Sequence, residues 1–167
     1  VAPALLGGLV LVRSTEPLDV IRLPVPSDLS IAIATPDFTL ETRAARAALP
    51  ELVPLSSATQ NAANLAAFVS ACHTGDVILI GRSICDVIVT PARVPLIPGA
   101  SRVIDVALEM GALGASISGA GPSIFSICRS EQSAQKIGSA MAAEFNRAGL
   151  DATVLISPMN CAGARRP

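Results

Sequence analysis

The order of strand and helix patterns between residues 29 and 157 constrains the fold of this chain most strongly. Leu29–Thr35 is an apolar, β-branched run that Pro36 stops, which is typical of a buried strand. Three further strands are predicted closer to the C-terminal end, at Ala115–Ser118, Ile124–Cys128 and Ala152–Ser157. With helices between them, these strands predict an α+β fold: a ferredoxin-like (split βαβ) sandwich in which helices cover one face of an antiparallel sheet.

Apolar residues at helical spacing predict the helices of that sandwich. Ser56–His73 and Glu131–Arg147 carry the clearest stripes, and Ser130 is placed to cap the second of them. Shorter helices are predicted at Leu40–Leu49, with Thr39 as a candidate N-cap, at Asp76–Ser83 and at Ser101–Met110. The three prolines between Thr90 and Gly99 predict a stiff loop.

Residues 1–26 are predicted to be the end of a neighbouring domain and a connector. Leu9–Arg13 is predicted to be a short strand, and Pro17–Ser27, which contains three prolines, an extended connector. The apolar run at residues 1–12 is too short to span a bilayer and lacks the features of a signal peptide. Because the chain begins on Val rather than Met, it is expected to be a piece of a longer protein.

Composition excludes several classes of function. The 12 Lys and Arg are balanced by 13 Asp and Glu, with no basic block of the kind that nucleic acid attracts. Aromatic residues make up 2% of the chain, so stacking platforms are scarce. The four cysteines form no C-x-x-C pair, which favours reduced, buried thiols in a cytoplasmic protein. Nucleic acid and membranes are therefore not expected as partners.

The most informative segment is the glycine-rich stretch Ser118-Gly-Ala-Gly-Pro122, which follows a predicted strand. Gly119 and Gly121 allow positive φ and let backbone N–H groups approach an anion. A tight hairpin turn without a ligand explains the same spacing equally well, since two glycines alone are weak support for a phosphate site.

Two other segments offer groups that suit a carboxylate. Thr42 and Arg46 are four residues apart on a predicted helix, so a hydroxyl and a guanidinium share one face. Arg93 lies in the proline-stiffened loop, where its side chain is expected to be held. The alternatives are a solvated Arg46 and a salt bridge from Arg93 to Asp86 or to a carboxylate elsewhere. His73 and the remaining acidic residues show no metal-ligand or acid–base pattern, so no metal site is predicted.

Together these segments resemble the homoserine kinase family of the GHMP kinase superfamily. The resemblance rests on the residues 1–8 (VAPALLGG), the T-x-x-x-R helix from Thr42 to Arg46, the arginine loop Pro91–Gly99, the SGAGP loop and the ending Cys161–Arg165. The SGAGP loop indicates only the superfamily, whereas the arginine loop and the T-x-x-x-R helix narrow the choice. The resemblance implies that residues 1–26 end an N-terminal GHMP kinase domain and that residues 27–167 form the C-terminal domain.

The resemblance also implies roles for particular residues. Thr42, Arg46, Arg93 and Gly119 would face L-homoserine, with Arg93 also stabilising charge on the moving phosphoryl group. The loop of Ser118, Gly119, Ala120 and Gly121 would lie near the phosphate. The residues that bind ATP and Mg²⁺ precede residue 1 in the family, so the piece alone is expected to be inactive.

Two alternatives and one question remain open at this point. Another GHMP kinase, of the mevalonate type, would keep the SGAGP loop, and a non-catalytic ferredoxin-like ligand-binding domain would lack a phosphate loop upstream. The sequence leaves the oligomeric state open, with a homodimer as one of the alternatives.

Overall fold

A computed structural model of the chain describes residues 2–26 and 28–164. The first elements are α1 (Ala2–Leu6), β1 (Leu9–Thr15), β2 (Leu18–Leu23), β3 (Ser30–Pro36), α2 (Thr42–Ala47), α3 (Leu55–Thr74) and α4 (Val77–Arg82). They are followed by α5 (Val89–Arg93), a 3-10 turn (Val94–Leu96), α6 (Ala100–Glu109), β4 (Gly114–Ile117), β5 (Ile124–Cys128), α7 (Glu131–Arg147) and β6 (Ala152–Pro158).

Four strands form one antiparallel sheet in the order β4-β5-β3-β6. The first strand of the unit, β3, lies in the middle, where Ile33 pairs with Phe125 on one side and Leu155 on the other. This order, with helices between β3 and β4 and α7 between β5 and β6, is the split βαβ arrangement. The predicted α+β, ferredoxin-like fold is confirmed.

Helices α6 and α7 pack on one face of this sheet. Alternate residues of β3 point toward them, and Ala32 and Ala34 are fully buried there with Phe145 and Met141 of α7. Small side chains let α7 approach the sheet closely: a Cβ added at Gly138 of α7 would lie 2.6 Å from Val154 Cγ1 of β6 and 3.3 Å from Ala32 Cβ of β3. Gly138 and the alanines of β3 therefore allow the short distance between the sheet and α7.

The opposite face is also covered, which corrects the expectation that helices cover only one face. Ile31, Phe125 and Ile127 point away from α7 and pack with residues of α3 and α4, among them Cys72 and Ile80. A second apolar cluster forms because every residue of β3 and β5 that faces this side, apart from polar ends, offers an apolar side chain. Helices α3 and α4 thus cover part of this second face, whereas Leu155 of β6, which points to the same side, is 62% exposed.

The predicted connector at Pro17–Ser27 is wrong over most of its length. β2 pairs with β1 as an antiparallel hairpin, with Leu9 opposite Leu23 and Thr15 opposite Leu18. The prolines flank this six-residue strand instead of interrupting it, so they leave its hydrogen bonds intact. Ser27, at the proposed domain boundary, lies outside the described residues, as do residues 1 and 165–167.

Two helix predictions need correction as well. α2 begins at Thr42 with Glu41 as its N-cap, so the helix is shorter than predicted and Thr39 does not cap it. The proline-rich segment predicted as a loop contains α5 and the 3-10 turn. Pro91 is tolerated because it occupies the first turn of α5, where a backbone N–H has no intrahelical partner.

The four cysteines differ in their exposure to solvent. The four cysteines are free thiols, but only Cys72 and Cys128 are buried, and burial raises the pKa of both. Cys85 and Cys161 are exposed, so the expectation of uniformly buried thiols is corrected. Throughout the part of the chain that the structure describes, every helix is too short or too polar to cross a membrane.

Candidate functional site

Arg93, the last residue of α5, connects two of the segments that the sequence singled out. Its side chain is half-buried, and its Nε donates a hydrogen bond to the carbonyl of Ala45 on α2 at 3.1 Å. Its Nη1 donates to the carbonyl of Gly119 in the SGAGP loop at 3.0 Å. The guanidinium is therefore fixed between α2 and the glycine-rich loop.

The alternative of a salt bridge from Arg93 to Asp86 is not observed. Among the described residues, the salt bridges involve Arg13, Arg102 and Arg147, and no carboxylate pairs with Arg93. A guanidinium carries five N–H donors, and only two of those of Arg93 are used by the two carbonyls. The remaining donors are free to bind an anionic group from outside this part of the chain.

Thr42 and Arg46 lie on the solvent side of α2, one helical turn apart. Both are exposed, and within residues 2–26 and 28–164 their side chains form no hydrogen bond or ion pair. Between them Ala45 is fully buried and holds α2 against the body of the domain. Arg46 directly follows Ala45, whose carbonyl accepts the hydrogen bond from Arg93, so both arginines lie at the same turn of α2. Within the described residues, no hydrogen bond joins Thr42 to the loop.

The SGAGP loop connects β4 to β5 as a hairpin and closes on itself. The Ser118 amide donates to the Ser123 carbonyl at 2.8 Å, and the Gly121 amide donates to the Ser118 carbonyl at 3.0 Å. The amides of Gly119 and Ala120 donate to no other described residue. Of the four loop residues predicted to lie near a phosphate, these two therefore offer open N–H donors.

The two loop glycines are required for different reasons. Both have positive φ, 61° at Gly119 and 88° at Gly121. A Cβ at Gly119 would meet nothing within 4 Å, but one at Gly121 would lie 2.9 Å from Ile97 Cδ1 and 3.4 Å from Leu40 Cδ2. Gly121 thus allows the loop to pack against the apolar residues that flank α2 and α6.

We expect Gly121→Ala to destabilise the protein more than Gly119→Ala. Each change places alanine at positive φ, at a cost of about 1 kcal/mol, and Gly121→Ala adds a steric clash of roughly 1–3 kcal/mol. Thermal melts of the two variants measure the difference, and the Gly119 variant serves as the matched control. Equal melting temperatures would show that the loop does not need this close packing.

Asp86 is a half-buried structural group whose role the sequence analysis did not recognise. Its carboxylate accepts hydrogen bonds from the backbone amides of Ile88, Val89 and Thr90, and from the side chain of Asn61. Burial alone would raise the pKa of Asp86, but these hydrogen bonds outweigh it and hold the pKa at about 2. An aspartate just before a short helix that contains proline is a known capping signal, so the position could have been identified.

One cavity of the described part of the chain lies beside α3 and is not lined by Arg93. It has a volume of about 430 Å³ and is lined by α3, by the segment from Ser83 to Asp86, and by Ser116 and Phe125. None of the residues that line this cavity belongs to α2, α5 or the SGAGP loop.

The described residues do not fit a magnesium site. No group of three or more His, Cys, Asp or Glu side chains within residues 2–26 and 28–164 is arranged to hold a metal ion. The hard oxygen ligands that Mg²⁺ prefers are therefore not assembled on this surface.

Comparison with known proteins defines the class to which this fold and surface belong. Residues 67–147 match the family described as GHMP kinases C terminal. The segment from α3 to the end of α7 is therefore of the GHMP kinase C-terminal type. A mevalonate kinase from L. major, solved in complex with R-mevalonate, has the same fold over 91% of the chain at a TM-score of 0.66, although only 15% of the residues are identical.

The more similar proteins are homoserine kinases. The homoserine kinase of Chlorobaculum tepidum is 44% identical over 166 residues, which cover 98% of this chain and 51% of that protein. The crystal structure of a homoserine kinase from Cytophaga hutchinsonii is 47% identical and has a TM-score of 0.94, covering 97% of this chain and 51% of that one. The chain therefore spans about half the length of the relatives that it matches.

Proposed function

We propose that this chain is the C-terminal part of a homoserine kinase. Such an enzyme transfers the γ-phosphoryl group of ATP to the side-chain hydroxyl of L-homoserine and forms O-phospho-L-homoserine for threonine biosynthesis. The observation that carries the proposal is the similarity to the C. hutchinsonii homoserine kinase along 97% of the chain, at a TM-score of 0.94. In this view residues 1–26 end the preceding kinase domain, and residues 27–167 form the C-terminal domain.

Arg93 is the central residue of the proposed amino-acid site. Its guanidinium is held by two backbone carbonyls and retains free N–H donors, an arrangement that suits a carboxylate. Thr42 and Arg46 extend the same polar surface along α2, and Gly119 places the loop beside Arg93. The open amides of Gly119 and Ala120 would stabilise negative charge on the phosphoryl group as it moves.

ATP and Mg²⁺ are proposed to bind mainly outside this chain. When bound, Mg²⁺ would neutralise charge on the phosphates, and the residues described here would hold the amino-acid substrate by its carboxylate. We propose a cytoplasmic enzyme with L-homoserine and ATP as its ligands, without nucleic acid or membrane partners. A homodimer is one assembly to be tested.

The function is tested with the full-length protein and with the 167-residue chain alone. The full-length protein is expected to form O-phosphohomoserine from homoserine and Mg-ATP, whereas the chain alone is expected to show no turnover, because phosphoryl transfer depends on positioning both substrates. Product formation followed by ³¹P NMR is the measurement. Turnover by the isolated chain near that of the full-length protein would contradict the proposed division of the site.

The same assay separates homoserine kinase from the mevalonate-type alternative. Because the L. major mevalonate kinase shares the fold, the fold alone does not choose between the two substrates. A kcat/KM for mevalonate equal to or above that for homoserine would assign the protein to the other branch of the superfamily.

A further inference from the structure

The carboxylate of Asp86 holds the start of the helix that carries Arg93. Asp86 Oδ1 accepts from the amides of Ile88 and Val89, each at 3.0 Å, and Oδ2 accepts from the amide of Thr90 at 2.5 Å. These are the amides of the N-cap residue Ile88 and of the first two residues of α5, which have no intrahelical acceptor. One carboxylate therefore satisfies the N-terminal end of α5, and Arg93 is the last residue of the same short helix.

Two asparagines of α3 hold the segment that contains Asp86. Asn61 Nδ2 donates to Asp86 Oδ1 at 2.8 Å, while Asn61 Oδ1 accepts from the amide of Val87 at 3.0 Å. Asn64 Nδ2 donates to the carbonyl of Cys85 at 2.6 Å. Since Asn61 and Asn64 lie one turn apart on the long helix α3, this helix fixes the position of Asp86 from one side.

A third contact fixes α5 from the other side. Thr90 and Ser116 share a hydroxyl hydrogen bond at 3.0 Å, which joins α5 to β4, the strand that leads into the SGAGP loop. At the far end of α5, Arg93 bonds the carbonyls of Ala45 and Gly119. Because α5 is only five residues long, a displacement of its first turn also displaces the guanidinium of Arg93 at its other end.

We propose that Asp86, held by Asn61, is a positioning residue that sets the orientation of Arg93 toward the amino-acid substrate. This inference rests on the proposed function, in which Arg93 binds the substrate carboxylate. The low pKa of Asp86, about 2, keeps its carboxylate ionised throughout the pH range in which a kinase is assayed, so its hydrogen bonds to α5 do not depend on pH in that range. Asp86 itself needs no contact with substrate.

Kinetics of the full-length enzyme test the proposal. Asp86→Ala is expected to lower kcat/KM for homoserine by roughly 10-fold or more, since small misplacements of a binding group cost up to about 100-fold. The KM for ATP is expected to stay within about twofold. Asp86→Asn retains one acceptor oxygen and is expected to recover part of the loss. Asn61→Ala is expected to give a smaller loss of the same kind.

Asp76→Ala is the matched control. Asp76 caps α4 by accepting from the amide of Leu79 at 2.9 Å, and α4 does not carry Arg93. Both alanine variants lose one cap and are expected to lower the melting temperature, but Asp76→Ala is expected to leave homoserine kinetics within about twofold. If Asp86→Ala behaves like Asp76→Ala, with a lower melting temperature and unchanged kinetics, Asp86 is a structural cap and the proposal is wrong.

The combination with Arg93→Ala shows whether Asp86 acts through Arg93. In that background Asp86→Ala is expected to change kcat/KM for homoserine by less than about twofold, because residues acting as a unit are not additive. The same loss with and without Arg93 would overturn the proposal.

A second measurement does not depend on the substrate. The NMR signal of the Arg93 Nε–H, assigned by its absence in Arg93→Lys, is expected to shift in Asp86→Ala and to stay unchanged in Asp76→Ala. An unchanged signal would overturn the positioning role, whereas a shifted signal in a protein that does not phosphorylate homoserine would reject only the proposed function.

Discussion

Arg93→Ala in the full-length enzyme is expected to lower kcat/KM for homoserine by roughly two orders of magnitude or more, with much less effect on ATP binding. A guanidinium hydrogen-bonded to a carboxylate typically contributes a few kcal/mol, and about 1.4 kcal/mol corresponds to a tenfold change in rate. The structure supports this expectation because Arg93 is already held by two carbonyls and needs little reorganisation to bind its ligand. Steady-state kinetics with each substrate varied in turn provide the measurement.

Arg93→Lys is the conservative variant for that experiment. An ammonium keeps the charge but cannot bond the two carbonyls and a carboxylate with one planar group, so we expect only partial recovery. If Arg93 served only to join α2 to the loop, Arg93→Ala would lower the melting temperature and leave homoserine kinetics nearly intact. Unchanged KM and kcat for homoserine would remove Arg93 from the site.

Phe145→Ala is expected to cause the largest loss of stability among simple substitutions in this domain. Phe145 is fully buried between the sheet and α6, with a relative exposure of 0%. Removing such a ring costs about 3–5 kcal/mol, a large part of the 5–15 kcal/mol that stabilises a typical protein. Urea unfolding followed by circular dichroism measures the effect, since this chain contains no Trp to report by fluorescence.

Phe68→Ala is the matched control for Phe145→Ala. Phe68 lies on α3, is only half-buried and lines the open cavity beside Asp86. Its removal deletes the same ring but leaves a space that is already open to solvent, so a clearly smaller loss of stability is expected. Equal losses for the two variants would show that the layer formed by α6 and α7 is not the main source of stability.

The sequence predicted the sheet and its long helices because their signals are local. α7 was predicted at its observed bounds, since Ser130 caps its first turn and apolar residues repeat at helical spacing. β5 was also predicted at its observed bounds, because its apolar run lies between a turn and Ser130, which caps α7. By contrast, β2 and α5 were missed because prolines lie beside or within them. A proline indicates that a strand or helix is interrupted nearby, but it does not identify the residue at which the element begins or ends.

The candidate site was predicted only residue by residue. The pairing of Thr42 with Arg46 follows from helical spacing, and both do lie on α2. The contacts of Arg93 with Ala45 and Gly119 could not be predicted, because each joins segments that are distant in sequence and uses a backbone carbonyl, which every residue possesses. The role of Asp86 was misjudged because a carboxylate near an arginine suggests an ion pair, whereas its hydrogen bonds go to the amides of α5.

The use of backbone carbonyls by Arg93 has a consequence for how this surface can evolve or be redesigned. Neither acceptor is a side-chain atom, so the two hydrogen bonds depend on the path of the backbone at Ala45 and Gly119. Substitutions at surrounding positions that keep this path are therefore compatible with a constant position of the guanidinium. A designer seeking a new acceptor substrate can vary Thr42 and Arg46, whose side chains are not involved in holding Arg93, without dismantling its support.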